Sequence, residues 1–402
     1  MDIYLIDWAS LLLRWLHVIT AVAWIGASFY FVWLDNSLEP PTSEDARSRG
    51  VGGELWAVHG GGFYNPQKYP VAPAFMPQKL HWFYWESYST WLSGFGLLTV
   101  IYLFNANAFL IDKSLFDWSP PAAIAGSLLY LAMGWLFYDA ICRGFGGRAG
   151  GDRLVGILVT AYVVAATWLA CQLFAGRAAF VLTGAMIATI MSANVLMVII
   201  PGQRKVMAQM KAGEPVDPAH GQRAKQRSVH NTYFTLPVLI AMLSNHYGML
   251  YQGRNNWMVL VLLMLAGVLI RQFFLLRHKE VISWRWWVGG IAIIVGLVVW
   301  LAPKAGSDET AAVSGTPGTA GAKADFAQVK AIVDQRCVLC HNGAVAQKNV
   351  RVDSAAAIGR HAQQIYQQVV LTKLMPLGNA TGMTDAERAA VGRWFDQGAA
   401  LE

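Results

Sequence analysis

Leu11–Leu34 reads LLLRWLHVITAVAWIGASFYFVWL. Arg14 and His17 are its only basic side chains, and it holds no acid. About 20 apolar residues in a helix cross the hydrocarbon core of a bilayer. This run is therefore long enough to span. It is too long for the apolar core of a secretory leader, and it lacks a basic segment before it and a small-residue cleavage site. A retained membrane helix is expected, with no cleavable signal peptide.

Seven further runs follow the same pattern: Trp82–Asn105, Pro121–Cys142, Leu154–Ala175, Ala178–Ile200, His230–Leu250, Trp257–Leu276 and Trp286–Leu301. The fourth and fifth are separated only by a few residues around Gly176-Arg177, so a tight helical hairpin is expected there. The chain of 402 residues is 55% hydrophobic and only 14% charged, which fits a polytopic membrane protein better than a soluble one. The expected fold is all-α: an eight-span transmembrane bundle over residues 1–302, followed by a small soluble domain.

Charge orients the bundle. The net charge of +7 comes without a basic stripe interleaved with aromatics, so nucleic acid is not an expected partner. Instead, Lys and Arg gather in alternate loops. Arg47, Arg49, Lys68 and Lys79 follow the first run; Arg143, Arg148 and Arg153 follow the third. Arg204, Lys205, Lys211, Arg223, Lys225 and Arg227 follow the fifth; Arg277, Lys279 and Arg285 follow the seventh. The other loops hold only Lys113, Arg177 and Arg254. Basic loops stay cytoplasmic, which puts both termini outside. The first basic loop contains GELWAVHGGGFYNPQKY, Gly53–Tyr69, which reads as a β-hairpin with a Gly-rich turn and His59 at the end of its first strand. A lid over a cytoplasmic pocket and an ordinary folded loop both fit it.

After Leu301 the composition turns to Gly, Ala, Ser and Thr, and residues 303–324 read as a flexible linker. Helix-forming sequence returns over 325–402 with QRCVLCHNG at Gln335–Gly343. Cys-x-x-Cys-His is the attachment signature of covalent c-type haem: Cys337 and Cys340 would bind the porphyrin and His341 the iron. A thioredoxin-like pair would want a βαβ context, absent here, and a zinc site would want two more ligands. Met375 and Met383 are the candidates for the opposite axial ligand. The tail resembles class I cytochrome c domains, in which Met-Pro precedes the last helix. That resemblance favours Met375, so His341 and Met375 are the expected iron ligands. Thr384 and Glu387 read as a capping box opening that helix, which makes Met383 a helix-start residue. His361 reads as a surface residue, and Cys142 and Cys171 as packing residues.

Ionisable groups inside spans are costly and mark function. His17, Arg14, His81, Glu86, Asp139, His230 and His246 are of this kind. Counted at ~1.5 Å per residue, His17 and His246 fall at one level near the outer side, and His81, Glu86 and His230 at the cytoplasmic level. Imidazoles on facing helices hold b-type haem, so His17 and His246 are a candidate pair for haem b in the membrane domain. His230 and His246 lie about 160° apart on an ideal helix, so both face one pocket only with help from a kink at Pro237.

The stretches RWLHVITAVAWIGASFYFVWLDN, ELWAVHGGGFY, LHWFYWESYSTWLSGF, VHNTYFTLPVLIAMLSNHY and CVLCH together resemble the bacterial membrane-bound urate oxidases that fuse an eight-span domain to a cytochrome c. Leu16-His17 with Trp24 is also similar to the bacterial b-haem membrane protoporphyrinogen oxidase. The first resemblance implies conversion of urate to 5-hydroxyisourate. It implies electrons passing to a terminal oxidase or soluble cytochrome c rather than forming peroxide, and an inner-membrane protein with its tail in the periplasm. It makes His59, His81, Glu86 and His230 the candidate catalytic residues on the cytoplasmic side. Urate binding from outside, with Arg14 as the anion contact, is the opposite arrangement. A quinol-oxidising electron-transfer protein is the alternative activity, and a membrane anchor for cytochrome c a third reading.

Overall fold

A chain segment in hydrocarbon has no water to satisfy its backbone, so apolar runs pair every N–H and C=O internally as helix. The computed structural model describes residues 2–401 other than 71–72, 74–76, 114, 149, 252, 303–324, 344–349 and 372. The expected linker thus lies outside the described residues. The first run becomes α1, Asp2–Ser37, longer than its apolar core at both ends. Then come α2, Trp85–Leu98, α3, Pro120–Phe145, α4, Gly151–Leu173, and α5, Gly176–Ala193. A π-turn at Asn194–Ile199 joins α5 to α6, Ile200–Ala212. The bundle closes with α7, Pro218–Leu243, α8, Asn256–Arg277, and α9, Trp284–Trp300. The fourth and fifth runs do form the tight hairpin, α4 ending at Leu173 and α5 starting at Gly176.

Among the described residues, five helical stretches are long and apolar enough to cross a membrane: Trp8–Ser37, Pro120–Phe145, Gly151–Leu173, Gly176–Ala212 and Asn256–Arg277. The other three expected runs are helical but fall short by length or polarity. The second is α2 extended by a π-turn at Thr99–Leu103. The sixth starts twelve residues before His230, with the polar stretch PAHGQRAKQRSV, and ends at Leu243. The eighth is the shorter apolar helix Trp284–Trp300.

Small residues let the helices approach, as they do where lipid supplies no hydrophobic drive. A Cβ on Gly94 would lie 2.8 Å from the His17 ring, and one on Gly184 would lie 3.0 Å from Ala241. The main core runs from Leu98 and Tyr102 through Phe180, Ile187 and Ile190 to Leu260 and Leu297. Pairings give the direction: Leu13 packs at Gly96 while His17 reaches Thr90, so α1 and α2 are antiparallel. One end of the bundle carries the N-terminus, and the other carries the loop 38–84, called here the hairpin end.

Outside its helices the chain forms the β-hairpin expected in that loop. β2, Ala57–His59, pairs with β3, Gly62–Tyr64, and β1, Gly53–Glu54, pairs with β4, Gln67–Lys68, both antiparallel. The β2–β3 turn uses Gly60 and Gly61 at φ 58° and 82°, a backbone that favours glycine. Glu54 anchors the base. Its carboxylate accepts from the Thr42 backbone N–H at 2.9 Å, the main cause of its lowered pKa.

The tail forms its own core. Its first helix, α10, Phe326–Arg336, crosses its last, α11, Asp385–Asp396, with the Phe326 and Trp394 rings 6.1 Å apart. The capping box of Thr384 and Glu387 is formed. Leu374 packs against the bundle core, and the turn Leu377–Asn379 rests on the short helix Ala106–Phe109 at the N-terminal end of the bundle.

Candidate functional site

A buried polar layer crosses the bundle towards its hairpin end. The π-turn that begins at Asn194 sets that side chain at the crossing of three helices; such turns recur at functional sites. Its amide donates to Tyr138 Oη at 3.0 Å and to Asn231 Oδ1 at 2.9 Å, and its Oδ1 accepts from Arg227 at 3.4 Å. Tyr138 Oη also bonds His230 Nδ1 at 2.8 Å. Asp139 holds Arg227 and Arg143, each at 2.6 Å. The Arg227 guanidinium lies 4.9 Å from the Tyr138 ring centre. A carboxylate, two cations and an imidazole are thus tied together by neutral hydroxyl and amide groups, which is how buried charge is tolerated.

The layer is not closed. Buried atoms without a hydrogen-bond partner among the described residues are Glu86 Oε2, Ser87 Oγ, Arg227 Nε, Arg271 Nε and Nη2, and Trp286 Nε1. All belong to the hairpin-end half: Ser87 O accepts from Ser192, two residues before Asn194, and Arg271 sits one turn and a half from the C-terminus of α8. Buried polar groups in folded proteins are nearly always satisfied. A cluster of exceptions is what a polar ligand would complete.

The expected catalytic residues separate into two pairs. His230 is half-buried in this layer, and Glu86 is half-buried in the same half of the bundle. His59, at the end of β2, and His81, edge-on to Phe83 at 4.5 Å, are exposed on the loop that precedes α2. His17 and His246 do not share a level. His17 Nδ1 bonds the Thr90 carbonyl at 3.0 Å and Ser93 Oγ at 3.1 Å. His246 is exposed in a 3-10 turn beyond α7, next to Asn245, whose Oδ1 accepts from Tyr102 Oη at 3.2 Å. Thr90 and Tyr102 are twelve residues apart on one helical run, roughly 18 Å at ~1.5 Å per residue. The pair does not fit one haem. The depth estimate failed because α1 begins at Asp2, nine residues before the apolar run from which depth was counted.

In the tail, Cys337 and Cys340 are free thiols. Burial pushes the Cys337 thiol up to about 11 and raises Cys340 as well. His341 Nδ1 is tied to the Val350 carbonyl at 3.1 Å. Such a bond orients a metal-bound imidazole and leaves Nε2 to the metal. Arg388, buried, donates to the carbonyls of Val369 at 2.6 Å and Met375 at 2.7 Å. It thereby pins the loop that presents the half-buried Met375. Met383 is 4% exposed and fills the tail core. This donor set, two free thiols, an oriented imidazole and a thioether on a fixed loop, suits a c-type haem. His361 bonds Gln364 at 2.7 Å. Among the described residues no three His, Cys, Asp or Glu side chains gather to hold a metal ion.

An open cavity of about 480 Å³ lies at the other end of the bundle, lined by Trp168, Gln172, Arg254, Asn255 and Trp257 among others. It contains none of the expected catalytic residues. Arg14, the anion contact of the opposite arrangement, is exposed and bonds Ser10 at 3.3 Å.

The family model described as urate oxidase N-terminal matches residues 3–302. The chain belongs to this family. The match takes in the helices from α1 to α9. No curated protein and no solved structure matches the chain. Urate oxidase membership points to urate as substrate and to an oxidoreductase, and the long apolar helices are compatible with a lipid environment. Within the urate oxidase bundle, Tyr138, Asn194, Asn231 and Arg271 were not singled out by sequence reading. Arg271 had a signal: it is a charge inside the apolar run Trp257–Leu276, where charges are rare and functional. The two asparagines and the tyrosine had none, because their partners come from three different helices.

Proposed function

We propose that the bundle oxidises urate to 5-hydroxyisourate at the polar layer of its hairpin end, and that the tail provides the electron outlet. The observation that carries this reading is the group of unpartnered buried donors and acceptors inside the segment that belongs to the urate oxidase family. Urate and water give 5-hydroxyisourate, two protons and two electrons. A site for it therefore needs donors for an anion, a base, and a way out for electrons.

The layer supplies the first two. Glu86 presents a carboxylate oxygen with no partner and is assigned the role of proton acceptor. His230, tied to Tyr138, lies in the same layer and passes the second proton on. His59 and His81 sit on the loop at the hairpin end, where they line the substrate's approach from the cytoplasm. General-base catalysis of this kind contributes ~10²–10⁴-fold.

Cys337 and Cys340 would hold a c-type haem, with His341 and Met375 as its iron ligands, and the haem would supply one-electron acceptance and delivery to a terminal oxidase or soluble cytochrome c. With both His341 and Met375 engaged, such a haem would favour electron transfer over oxygen binding. This reading places the chain in the bacterial inner membrane with eight spans, the N-terminus and tail in the periplasm, and the basic loops in the cytoplasm. Substrate layer and outlet are then separated by much of a ~30 Å hydrocarbon core, so a second redox group within the bundle is part of the proposal. His17 and His246 as a haem b pair do not provide it.

The test is anaerobic addition of urate to the oxidised, full-length protein while the visible spectrum is recorded. Reduction of a c-type band supports the reading, and a b-type band beside it reveals the second group. Reduction by a quinol and not by urate would replace it with quinol oxidation.

A further inference from the structure

Arg271 is 4% exposed, yet among the described residues its Nε and Nη2 have no hydrogen-bond partner. These are the two nitrogens of one guanidinium edge, whose N–H bonds run parallel and accept a planar anion in bidentate fashion. The acid nearest in role, Asp139, is already held by Arg227 and Arg143. Among the described residues no carboxylate pairs with Arg271. A buried cation with an idle fork is costly, and the cost is recovered when an anion completes it.

The second observation is the ring beneath it. The Arg271 guanidinium carbon lies 4.1 Å from the centre of the Phe29 ring. Phe29 belongs to α1, and two residues on Phe31 meets Phe83, 4.9 Å away, just before Glu86. Both contacts lie near the C-terminal end of α1, the hairpin end of the bundle. Trp286, with a buried unpartnered Nε1–H, comes from α9, packed against α8 beside Arg271.

We infer that Arg271 and Phe29 form the recognition clamp of the urate site. Arg271 Nε and Nη2 grip an anionic edge with adjacent nitrogen and oxygen acceptors, and Phe29 lies along the flat ring system. This rests on the urate reading and adds to it a chemical class: flat, anionic heterocycles bind, and neutral ones of the same outline bind poorly. It also fixes the hairpin end, rather than the large cavity, as the place of binding.

The experiment uses the full-length, haem-loaded protein in detergent, with equilibrium dialysis of labelled urate and anaerobic haem reduction. The variants are Arg271→Met, which keeps the length without the charge, Arg271→Lys, and Phe29→Leu. Arg271→Met removes both charge-assisted hydrogen bonds of the fork and raises the urate Kd by about 100-fold or more. Arg271→Lys, which keeps the charge but loses the fork, raises it about 10-fold. Wild type prefers 8-azaxanthine, an anion, over neutral caffeine, and Arg271→Met abolishes that preference. Wild-type Kd and preference in a folded Arg271→Met protein overturn the clamp while urate reduction of wild type leaves the function standing. Tight, Arg271-dependent binding of 8-azaxanthine without haem reduction by urate upholds the clamp and overturns urate as substrate. Phe29→Leu guards against misfolding: with α8 untouched, it raises Kd several-fold if the ring belongs to the site, and an unchanged value counts against the clamp.

Discussion

The two ends of the bundle solve opposite problems. At the N-terminal end the buried polar groups are paired: Arg177 and Tyr102 both donate to Asn245, at 2.5 and 3.2 Å, and Arg177 lies 5.5 Å over the Phe109 ring. The space there is an open cavity of about 480 Å³. At the hairpin end the reverse holds: atoms of Glu86, Ser87, Arg271 and Trp286 are buried without partners among the described residues. Water can fill an open polar cavity at little cost. A buried orphan has no such remedy. The place to expect a ligand is therefore where satisfaction is missing, and the place to expect docking is where it is complete. The tail's turn Leu377–Asn379 rests at the satisfied end.

The largest effect separates the ends outright. Cys337→Ala with Cys340→Ala removes covalent haem from the tail and stops urate-driven reduction of an added cytochrome c, by more than ~100-fold on a c-type reading of the motif. Urate binding at the other end stays within about twofold by dialysis, since well-separated sites behave additively. A loss of urate binding in this variant would show that the two ends are one site.

Next comes the base. Glu86→Gln keeps shape and hydrogen-bonding capacity and removes proton acceptance. Its kcat falls about 10²-fold or more, while the KM for urate moves less than about threefold. An equal loss of binding would make Glu86 a substrate contact. Asp139→Asn is a test of scaffold rather than chemistry. It leaves Arg227, with 4% side-chain exposure, without its carboxylate, and breaking a buried pair from one side costs about 3–5 kcal/mol. A lowered thermal midpoint in detergent is expected, and Asp139→Asn with Arg227→Met should recover much of it.

What was legible in the sequence is what depends on neighbours in sequence. Leu11–Leu34 is apolar by itself and becomes α1; Gly60-Gly61 between two short runs becomes the β2–β3 turn; Thr384 and Glu387, three apart, become a capping box. The urate family could be read from long stretches around His17 and His81, and the family match over 3–302 agrees. His230 was legible as a residue but not as the partner of Tyr138, nor Asp139 as the partner of Arg227. A polar layer is assembled from side chains of α2, α3, α5, α7 and α8, and one sequence carries no signal for such distant pairings. Levels were misread for a related reason. A hydropathy run marks where apolar residues stop, whereas a helix continues to Asp2 in α1 and begins at Pro218 in α7. That moved His17 towards mid-bundle and left His246 beyond the helix end.

The smallest expected effect is the sharpest test of the contrast between the ends. Arg254 is the cation of the large cavity, on an exposed loop between α7 and α8. Together with Gln172, Asn255 and the Trp168 and Trp257 rings it offers the chemistry of a purine pocket: an anion contact, amides and flat apolar faces. By volume alone it would be preferred. By satisfaction it would not, because an exposed guanidinium is already solvated and gains little from exchanging water for a ligand. Arg254→Gln is therefore expected to change the urate KM and Kd by less than about twofold, within the range of exposed charge contacts, whereas Arg271→Met acts about 100-fold. If Arg254→Gln weakened urate tenfold and Arg271→Met did nothing, the substrate would enter from the end where the tail rests. The electrons would then have only a short way to travel, and the second redox group would no longer be required.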